Sequence, residues 1–141
     1  MAIKRTIDTR LWYDPLISDK FTKDDKLFWL YCLSNPHNNL CGVAIISPKL
    51  MALETGIEPS EINLLIEKFS TDYKRILYSY ENSELIILNW YKYNWSTSLN
   101  VKQSLEKQIE DIKTDKFKSI IIEIMKDIKW SDKSNGKTTG C

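Results

Sequence analysis

Apolar residues recur along the chain in short blocks, and capping or turn residues separate the blocks. The cleanest block has apolar positions at i, i+3, i+4 and i+7, which is the spacing of one face of a helix, and it comprises Ile62, Leu65, Ile66 and Phe69. Pro59 suits the first turn of this helix. We therefore predict an amphipathic helix that begins at Pro59 and buries these four side chains.

Caps predict two helices upstream of it. Thr22, with Asp25 three residues later, resembles a capping box, and the helix that it opens should end before Pro36. This helix has little polar face, so we expect it to be central and buried on several sides. Ser47, directly before a proline, opens the second helix, and Gly56 ends it in a left-handed conformation.

Two kinds of β-structure are predicted. The β-branched run Gly42–Ile46 indicates a brief strand between the first two helices. Apolar runs at 76–80 and 85–88 flank the polar string ENSE at 81–84, which predicts a two-stranded hairpin.

Helical periodicity returns over residues 99–130. Two apolar stripes lose phase at Thr114 and Asp115, which predicts two consecutive helices or one kinked helix. Leu105, Ile109 and Ile112 fit a short heptad stretch. This stretch could pair two chains in a homo-oligomer or pack back on the preceding domain.

The order of helix, short strand, helix, glycine turn, helix and hairpin is that of a winged helix-turn-helix. We predict a mainly α chain with a small β-hairpin, in the α+β class. The predicted parts are a winged-helix domain with an N-terminal arm over 1–96, a C-terminal helical extension over 97–130 and a disordered tail over 131–141.

The net charge excludes a nucleic-acid-binding protein that is basic over its whole surface. The 141 residues contain 20 Lys and Arg against 19 Asp and Glu, which gives a formal net charge of +1. Residues 58–73 hold four acidic residues and one lysine, whereas residues 74–95 hold three basic and two acidic residues. Any surface that binds DNA must therefore be a local one.

The chain shows neither a signal peptide nor an apolar run long enough for a membrane span. Cys32, Cys41 and Cys141 are an odd set without paired spacing, so we expect a cytoplasmic protein and no disulfides. Cys32, His37 and Cys41 fall short of the four ligands of a structural zinc site. We expect no metal or other cofactor. The sequence has no nucleotide-binding loop and no catalytic constellation, so we predict that the protein is not an enzyme.

Two strings are more specific than the rest: LSNPHNNLCG at Leu33–Gly42 and NWYKYNW at Asn89–Trp95. Through them and the predicted element order, the chain resembles the N-terminal winged-helix domain of replication initiation proteins, or replisome organizers, of phages of Gram-positive bacteria. The resemblance covers roughly residues 3–130. It implies a bacterial host cell, binding of duplex origin DNA, oligomerisation and, through a C-terminal region that is often DnaD-like, contact with a helicase loader. We expect that C-terminal region to be absent from this chain.

In a winged helix the third helix usually enters the major groove. The candidates for base or phosphate contacts on this helix are Ser60, Asn63 and Lys68. Since this segment is acidic, the alternative is a solvated or protein-contacting surface.

The base of the hairpin is a better electrostatic candidate. Lys74 and Arg75 lie together there, and Lys92 is a further candidate for contacts with phosphates. The alternative is that they are ordinary exposed charges. Lys4 and Arg5, with Arg10, form a second basic group on the N-terminal arm that could reach a minor groove or the DNA backbone.

The aromatic residues allow two interpretations. Trp90, Tyr91, Tyr93 and Trp95 could stack on single-stranded bases or lock the hairpin and C-terminal helices to the first helix. Core packing is the preferred interpretation, and it extends to Trp12, Tyr13 and Trp29.

Together these patterns predict a non-enzymatic protein of phage or prophage replication initiation that binds duplex DNA. One alternative is a winged-helix transcriptional regulator. The other is a protein-interaction module of the replication machinery whose acidic third helix binds a partner instead of DNA.

Overall fold

The computed structural model describes residues 3–131, so the predicted tail lies outside the described residues except for Ser131. Short helical turns, Thr9–Tyr13 and Leu16–Lys20, follow an extended N-terminal arm. The elements after them are α1 Lys23–Ser34, β1 Val43–Ile45, α2 Pro48–Thr55, α3 Pro59–Glu67, β2 Ile76–Ser79, β3 Glu84–Ile87, α4 Tyr91–Asn94, α5 Leu99–Asp111 and α6 Asp115–Lys126.

The described chain is an α+β fold, mainly helical with a three-stranded antiparallel sheet, and the predicted class is confirmed. The strand order is β1-β3-β2, so the hairpin strand β3 is central. Its Ile86 lies opposite Val43 of β1 and Leu77 of β2. The predicted hairpin turn ENSE is wrong at its last residue. Glu84 is the first residue of β3 and is 1% exposed, because its carboxylate is engaged by the C-terminal helices.

The predicted helix starts and stops are confirmed by their hydrogen bonds. The Asp25 amide donates to Thr22 Oγ1 (3.1 Å) and the Thr22 amide donates to Asp25 Oδ2 (3.0 Å), which completes the capping box. The Leu50 amide donates to Ser47 Oγ (3.1 Å) at the start of α2. Gly56 has a φ of 78° and ends that helix.

Helix α3 begins at Pro59 and continues past Glu67 as a wider helical turn, Lys68–Asp72. The four side chains of its apolar stripe are buried, as predicted: Ile62, Leu65, Ile66 and Phe69. Phe69 packs edge-on against Phe28 of α1, with ring centroids 5.1 Å apart. The stripe thereby fixes α3 against the central helix.

The C-terminal segment forms two helices, with the break at the predicted position between Asp111 and Asp115. Leu105 and Ile112 of the heptad stretch are buried in the core of this chain, together with Phe117 and Ile121. The stretch therefore packs back on the preceding residues. Because the two helices bury these side chains in the same core, the boundary at residue 96 does not divide the chain into two hydrophobic cores.

The Glu84 carboxylate ties the sheet to the junction of α5 and α6. It accepts hydrogen bonds from the Lys113 amide (2.9 Å), the Thr114 amide (2.8 Å) and the Thr114 hydroxyl (2.5 Å). A buried carboxylate is tolerated when donors surround it in this way.

The core prediction for the aromatic residues is confirmed at Trp29, Trp90 and Trp95. It is wrong at Trp12, Tyr13 and Tyr93, which are exposed. The turn Thr9–Tyr13 is capped by Asp8 and directs Leu11 to the core, and this leaves its last two residues facing solvent.

The two specific strings, at Leu33–Gly42 and Asn89–Trp95, meet in the structure. The Leu40 carbonyl accepts hydrogen bonds from both indole N–H groups, of Trp90 (2.9 Å) and of Trp95 (2.6 Å). Gly42 has a φ of 81°, and a Cβ placed on it would lie 2.5 Å from Cγ of Trp90. The strings therefore form one packing unit, in which the glycine makes room for the tryptophan.

Candidate nucleic-acid interface

The exposed face of α3 is acidic. Glu58, Glu61 and Glu67 are exposed, and Lys68, which lies directly after the helix, donates through Nζ to Asp25 Oδ2 at 2.8 Å. The single lysine of the segment is thus compensated by a carboxylate of α1. An acidic helix surface repels DNA phosphates.

Asp25 is the buried end of this ion pair, and its side chain is 1% exposed. It accepts hydrogen bonds from the Thr22 amide, from Lys68 and from the Tyr73 hydroxyl (3.1 Å). Burial alone would raise the pKa of Asp25, but the three hydrogen bonds outweigh it, so that the pKa is lowered. The hydrogen bond to Asp25 likewise raises the pKa of Lys68. Lys68 therefore joins the end of α3 to the start of α1, and a contact with DNA would have to compete with this bond.

The other two candidates on α3 differ in their surroundings. Ser60 is exposed in the first turn of the helix. Asn63 accepts, through Oδ1, a hydrogen bond from the hydroxyl of Tyr80 (3.3 Å), which lies between β2 and β3. Leu64 is 59% exposed and Tyr80 is 58% exposed. The face therefore combines carboxylates with exposed apolar surface.

A cleft of about 570 Å³ lies at the opposite end of the hairpin, and we call it the arm cleft. Its lining comes from the N-terminal arm between Thr6 and Leu11, from Tyr73–Arg75 before β2, from Ile87–Trp90 after β3 and from Tyr93 with Asn94. The fold thereby brings Arg10 of the arm and the predicted pair Lys74 and Arg75 to one site, although more than 60 positions separate them in the sequence.

Arg75 connects the arm to the base of the hairpin. Its Nη2 donates to Asp14 Oδ2 at 2.8 Å, and its guanidinium lies 5.3 Å from the ring centroid of Trp29 and 5.8 Å from that of Phe21. Its Nε is buried and has no hydrogen-bond partner within residues 3–131. Arg75 is therefore a half-buried structural residue as well as a candidate for binding.

Lys74 and Asn89 lie at the two ends of the hairpin base, where the Leu88 amide donates to the Arg75 carbonyl (2.9 Å). Both are exposed, and both have left-handed backbones, with φ of 53° and 65°. Asn tolerates this conformation better than most residues, whereas Lys adopts it at a cost of about 1–2 kcal/mol.

The remaining predicted residues lie around this end of the molecule. Arg5 donates to the Asn38 carbonyl (3.0 Å) and lies 5.5 Å from the ring centroid of Trp90, and burial lowers its pKa. Lys4 and Lys92 are exposed. Lys92 belongs to α4, whose Tyr93 and Asn94 line the arm cleft.

Asn89 and Asn94 line this cleft but were not among the candidate residues from the sequence. The preference of Asn for left-handed backbone after a strand was the one available signal for Asn89. Asn94 lies within the aromatic string, for which core packing was the preferred interpretation.

Two other lining residues had been considered from the sequence. Tyr93 was a candidate for base stacking, and Arg10 was grouped with the basic residues of the arm. Arg10 is paired with Asp8 at 2.6 Å, and its hydrogen bonds lower the pKa of Asp8 to about 2.

Among residues 3–131, the side chains of Cys32, Cys41 and His37 do not converge on one site. Cys32 and Cys41 are buried, and burial raises the pKa of the Cys32 thiol and raises that of Cys41 to about 12. His37 instead faces Glu54, with Nε2 and Oε1 2.8 Å apart. Within the described residues, no group of three or more His, Cys, Asp or Glu side chains could hold a metal ion.

None of the helices between residues 3 and 131 has the length and apolar character that a membrane span requires.

Lys74 and Arg75 thus line the arm cleft, and Lys4, Arg5 and Lys92 lie within two positions of lining residues in the sequence. Ser60 and Asn63 lie on the exposed acidic face of α3, and Lys68 lies at its end. Comparison of the chain with family models, with curated proteins and with solved structures finds no match.

Proposed function

We propose that this chain is a winged-helix DNA-binding protein of the replisome-organizer type, which acts in phage or prophage replication initiation. The observation that carries the proposal is the arrangement of α1, β1, α2, α3, β2 and β3 around a sheet of order β1-β3-β2. It has the element order of a winged helix-turn-helix. The tight turn at Gly56 joins α2 to α3, and the small buried side chain of Ala52 supports close packing of the two helices.

The surface that meets duplex DNA in this proposal is the end of the molecule around the arm cleft, not the outer face of α3. Lys4, Lys74 and Lys92 are exposed there, whereas the lysine next to α3 is held by Asp25. Lysines that contact phosphates supply affinity that is independent of sequence and falls with salt.

A pair of triple variants tests this surface. Lys4→Ala, Lys74→Ala and Lys92→Ala together should weaken binding to a duplex from the DNA that flanks the gene. The slope of log affinity against log salt should become shallower by about 0.9 for each phosphate contact that is lost. The matched control is Lys107→Ala, Lys116→Ala and Lys129→Ala, which removes the same charge from exposed positions in or beside the C-terminal helices. Equal affinity and slope in the two triple variants would remove the arm-cleft surface from the mechanism.

The exposed side chains of Leu64 and Tyr80 among carboxylates favour a second candidate, a protein-interaction module that binds through α3. This candidate predicts no binding to any duplex in a low-salt gel shift. It also predicts that Leu64→Ser with Tyr80→Ser abolishes binding to a purified host helicase loader. The transcriptional-regulator alternative uses the same fold, and footprints at a promoter instead of an origin would favour it.

A further inference from the structure

The arm cleft has the size and the mixed lining of a small-ligand site. Its volume of about 570 Å³ falls within the range of about 300–1,000 Å³ that is usual for such pockets. The apolar part of the lining includes Ile7, Leu11, Ile17, Leu33 and Leu88. The exposed polar residues of the lining are Thr6, Arg10, Lys74 and Asn89.

One aromatic residue of the lining, Tyr93, is exposed, at 49%. Trp29 and Trp90 are buried, and each lies beneath a guanidinium group. Tyr73 is half-buried and packs against the rings of Phe21 and Phe69. An exposed ring beside an apolar wall suits stacking with a planar base, since every base has a π-face.

Two amide side chains flank this ring. Asn94 donates through Nδ2 to the Trp90 carbonyl (3.2 Å), which orients its amide and leaves Oδ1 as an acceptor. Asn89 is exposed. Amide groups recognise the hydrogen-bonding edges of bases.

The electrostatics of the cleft leave one positive charge. Arg10 is paired with Asp8 and Arg75 with Asp14, whereas Lys74 has no ion-pair partner within the described part of the chain. Lys74 is also held in a left-handed conformation, as is Asn89 across the hairpin base. Backbone strain of this kind is often stored at binding sites.

We propose that the arm cleft binds one nucleotide, with its base on Tyr93, the base edge at Asn89 and Asn94, and its phosphate at Lys74. The inference rests on the proposed function, because both assume that the protein binds nucleic acid. Two sources share this chemistry, an unpaired nucleotide of a DNA strand and a free nucleotide.

Titration of the whole chain with deoxyadenosine monophosphate and with a short single-stranded oligodeoxyadenylate tests the proposal. Saturable binding of both, with mutual competition, is the expected result for a site on a DNA strand. Binding of the mononucleotide alone would assign the free nucleotide as the source, and binding of the oligonucleotide alone would assign the strand. Absence of saturable binding for both probes would overturn the proposal.

Variants then assign the binding to the cleft. Tyr93→Ala should weaken the binding by about tenfold, a loss typical of one stacked base. The matched control is Tyr80→Ala, which removes a tyrosine of similar exposure (58% against 49%) directly after β2, outside the cleft, and should leave the binding unchanged. Equal losses in the two variants would overturn the assignment to the cleft.

Duplex affinity separates this inference from the proposed function. Titration of the unaltered chain with a duplex therefore accompanies the titrations with the two probes. A chain that binds the probes but no duplex supports the cleft and refutes duplex binding. A chain that binds duplex DNA but neither probe refutes the cleft and leaves the proposed function standing.

Discussion

Replacement of Gly42 by alanine should destabilise the fold far more than the same change at Gly56. Both glycines are left-handed, with φ of 81° and 78°, so each replacement places an L side chain in a disfavoured conformation at a cost of about 1–2 kcal/mol. At Gly56 the new Cβ would have nothing within 4 Å. This variant therefore measures the backbone contribution alone.

At Gly42 the new Cβ would meet three atoms of Trp90 at 2.5–2.8 Å. Trp90 has no room to withdraw, because its side chain is buried and its indole N–H is bonded to the Leu40 carbonyl. Overpacking of this kind costs about 1–3 kcal/mol. Gly42→Ala should accordingly lower the free energy of unfolding by about 2–5 kcal/mol, the sum of the two contributions.

Urea unfolding followed by far-UV circular dichroism gives both values under one set of conditions. The double variant Gly42→Ala with Trp90→Ala is the decisive addition, since removal of the indole relieves the clash. Its destabilisation should be smaller than the sum of the two single variants. Equal destabilisation by Gly42→Ala and Gly56→Ala, or strict additivity in the double variant, would refute the packing of Gly42 against Trp90.

Three further predictions concern buried charges and strain. Because the folded-state pKa of Asp25 is lowered, the ionised carboxylate stabilises the fold above its ordinary pKa of 3.8, and this contribution is lost as the pH falls through the folded value. Asp25→Asn should therefore flatten the pH dependence of the free energy of unfolding below about pH 4, measured by chemical denaturation at stepped pH, and an unchanged profile would contradict the role of Lys68 as the partner of Asp25. Glu84→Ala should lower the free energy of unfolding by about 2–3 kcal/mol in the same assay, because it leaves donors at the α5–α6 junction without an acceptor. The control Glu81→Ala, at an exposed position, should change it by no more than about 0.5 kcal/mol, and similar values for the two variants would contradict the role of Glu84 at that junction. Lys74→Gly should raise the free energy of unfolding by about 1 kcal/mol, because glycine adopts the left-handed backbone conformation without the strain of a lysine, and it should also weaken nucleotide binding. A loss of stability would show that the strain is absent.

Local signals in the sequence predicted the elements well because the interactions behind them span three or four residues. The capping box at Thr22, the left-handed end of α2 at Gly56 and the stripe on α3 each depend on neighbours within one or two helical turns. The hairpin was predicted on the same basis, except for the assignment of Glu84. That carboxylate is satisfied by residues about 30 positions away, which a local pattern does not reveal.

The candidate site was predictable only in part, for the same physical reason. Lys74 and Arg75 stood out as a basic pair, but whether such a charge is free depends on distant partners. Arg75 is neutralised by Asp14, 61 positions away, and Lys68 by Asp25, 43 positions away. Packing alone decides these pairings.

The sequence by itself determined the order of the helices and strands, their caps and the acidic character of the segment around α3. The tertiary structure decided which cations remain uncompensated, which aromatic rings stay exposed and where the arm lies relative to the hairpin. The first set depends on hydrogen bonds and periodicity within a few residues, whereas the second depends on which distant side chains the core brings within a few ångströms. A nearly neutral chain can therefore carry a local cationic end, and it took the fold to separate that end from the acidic face of α3.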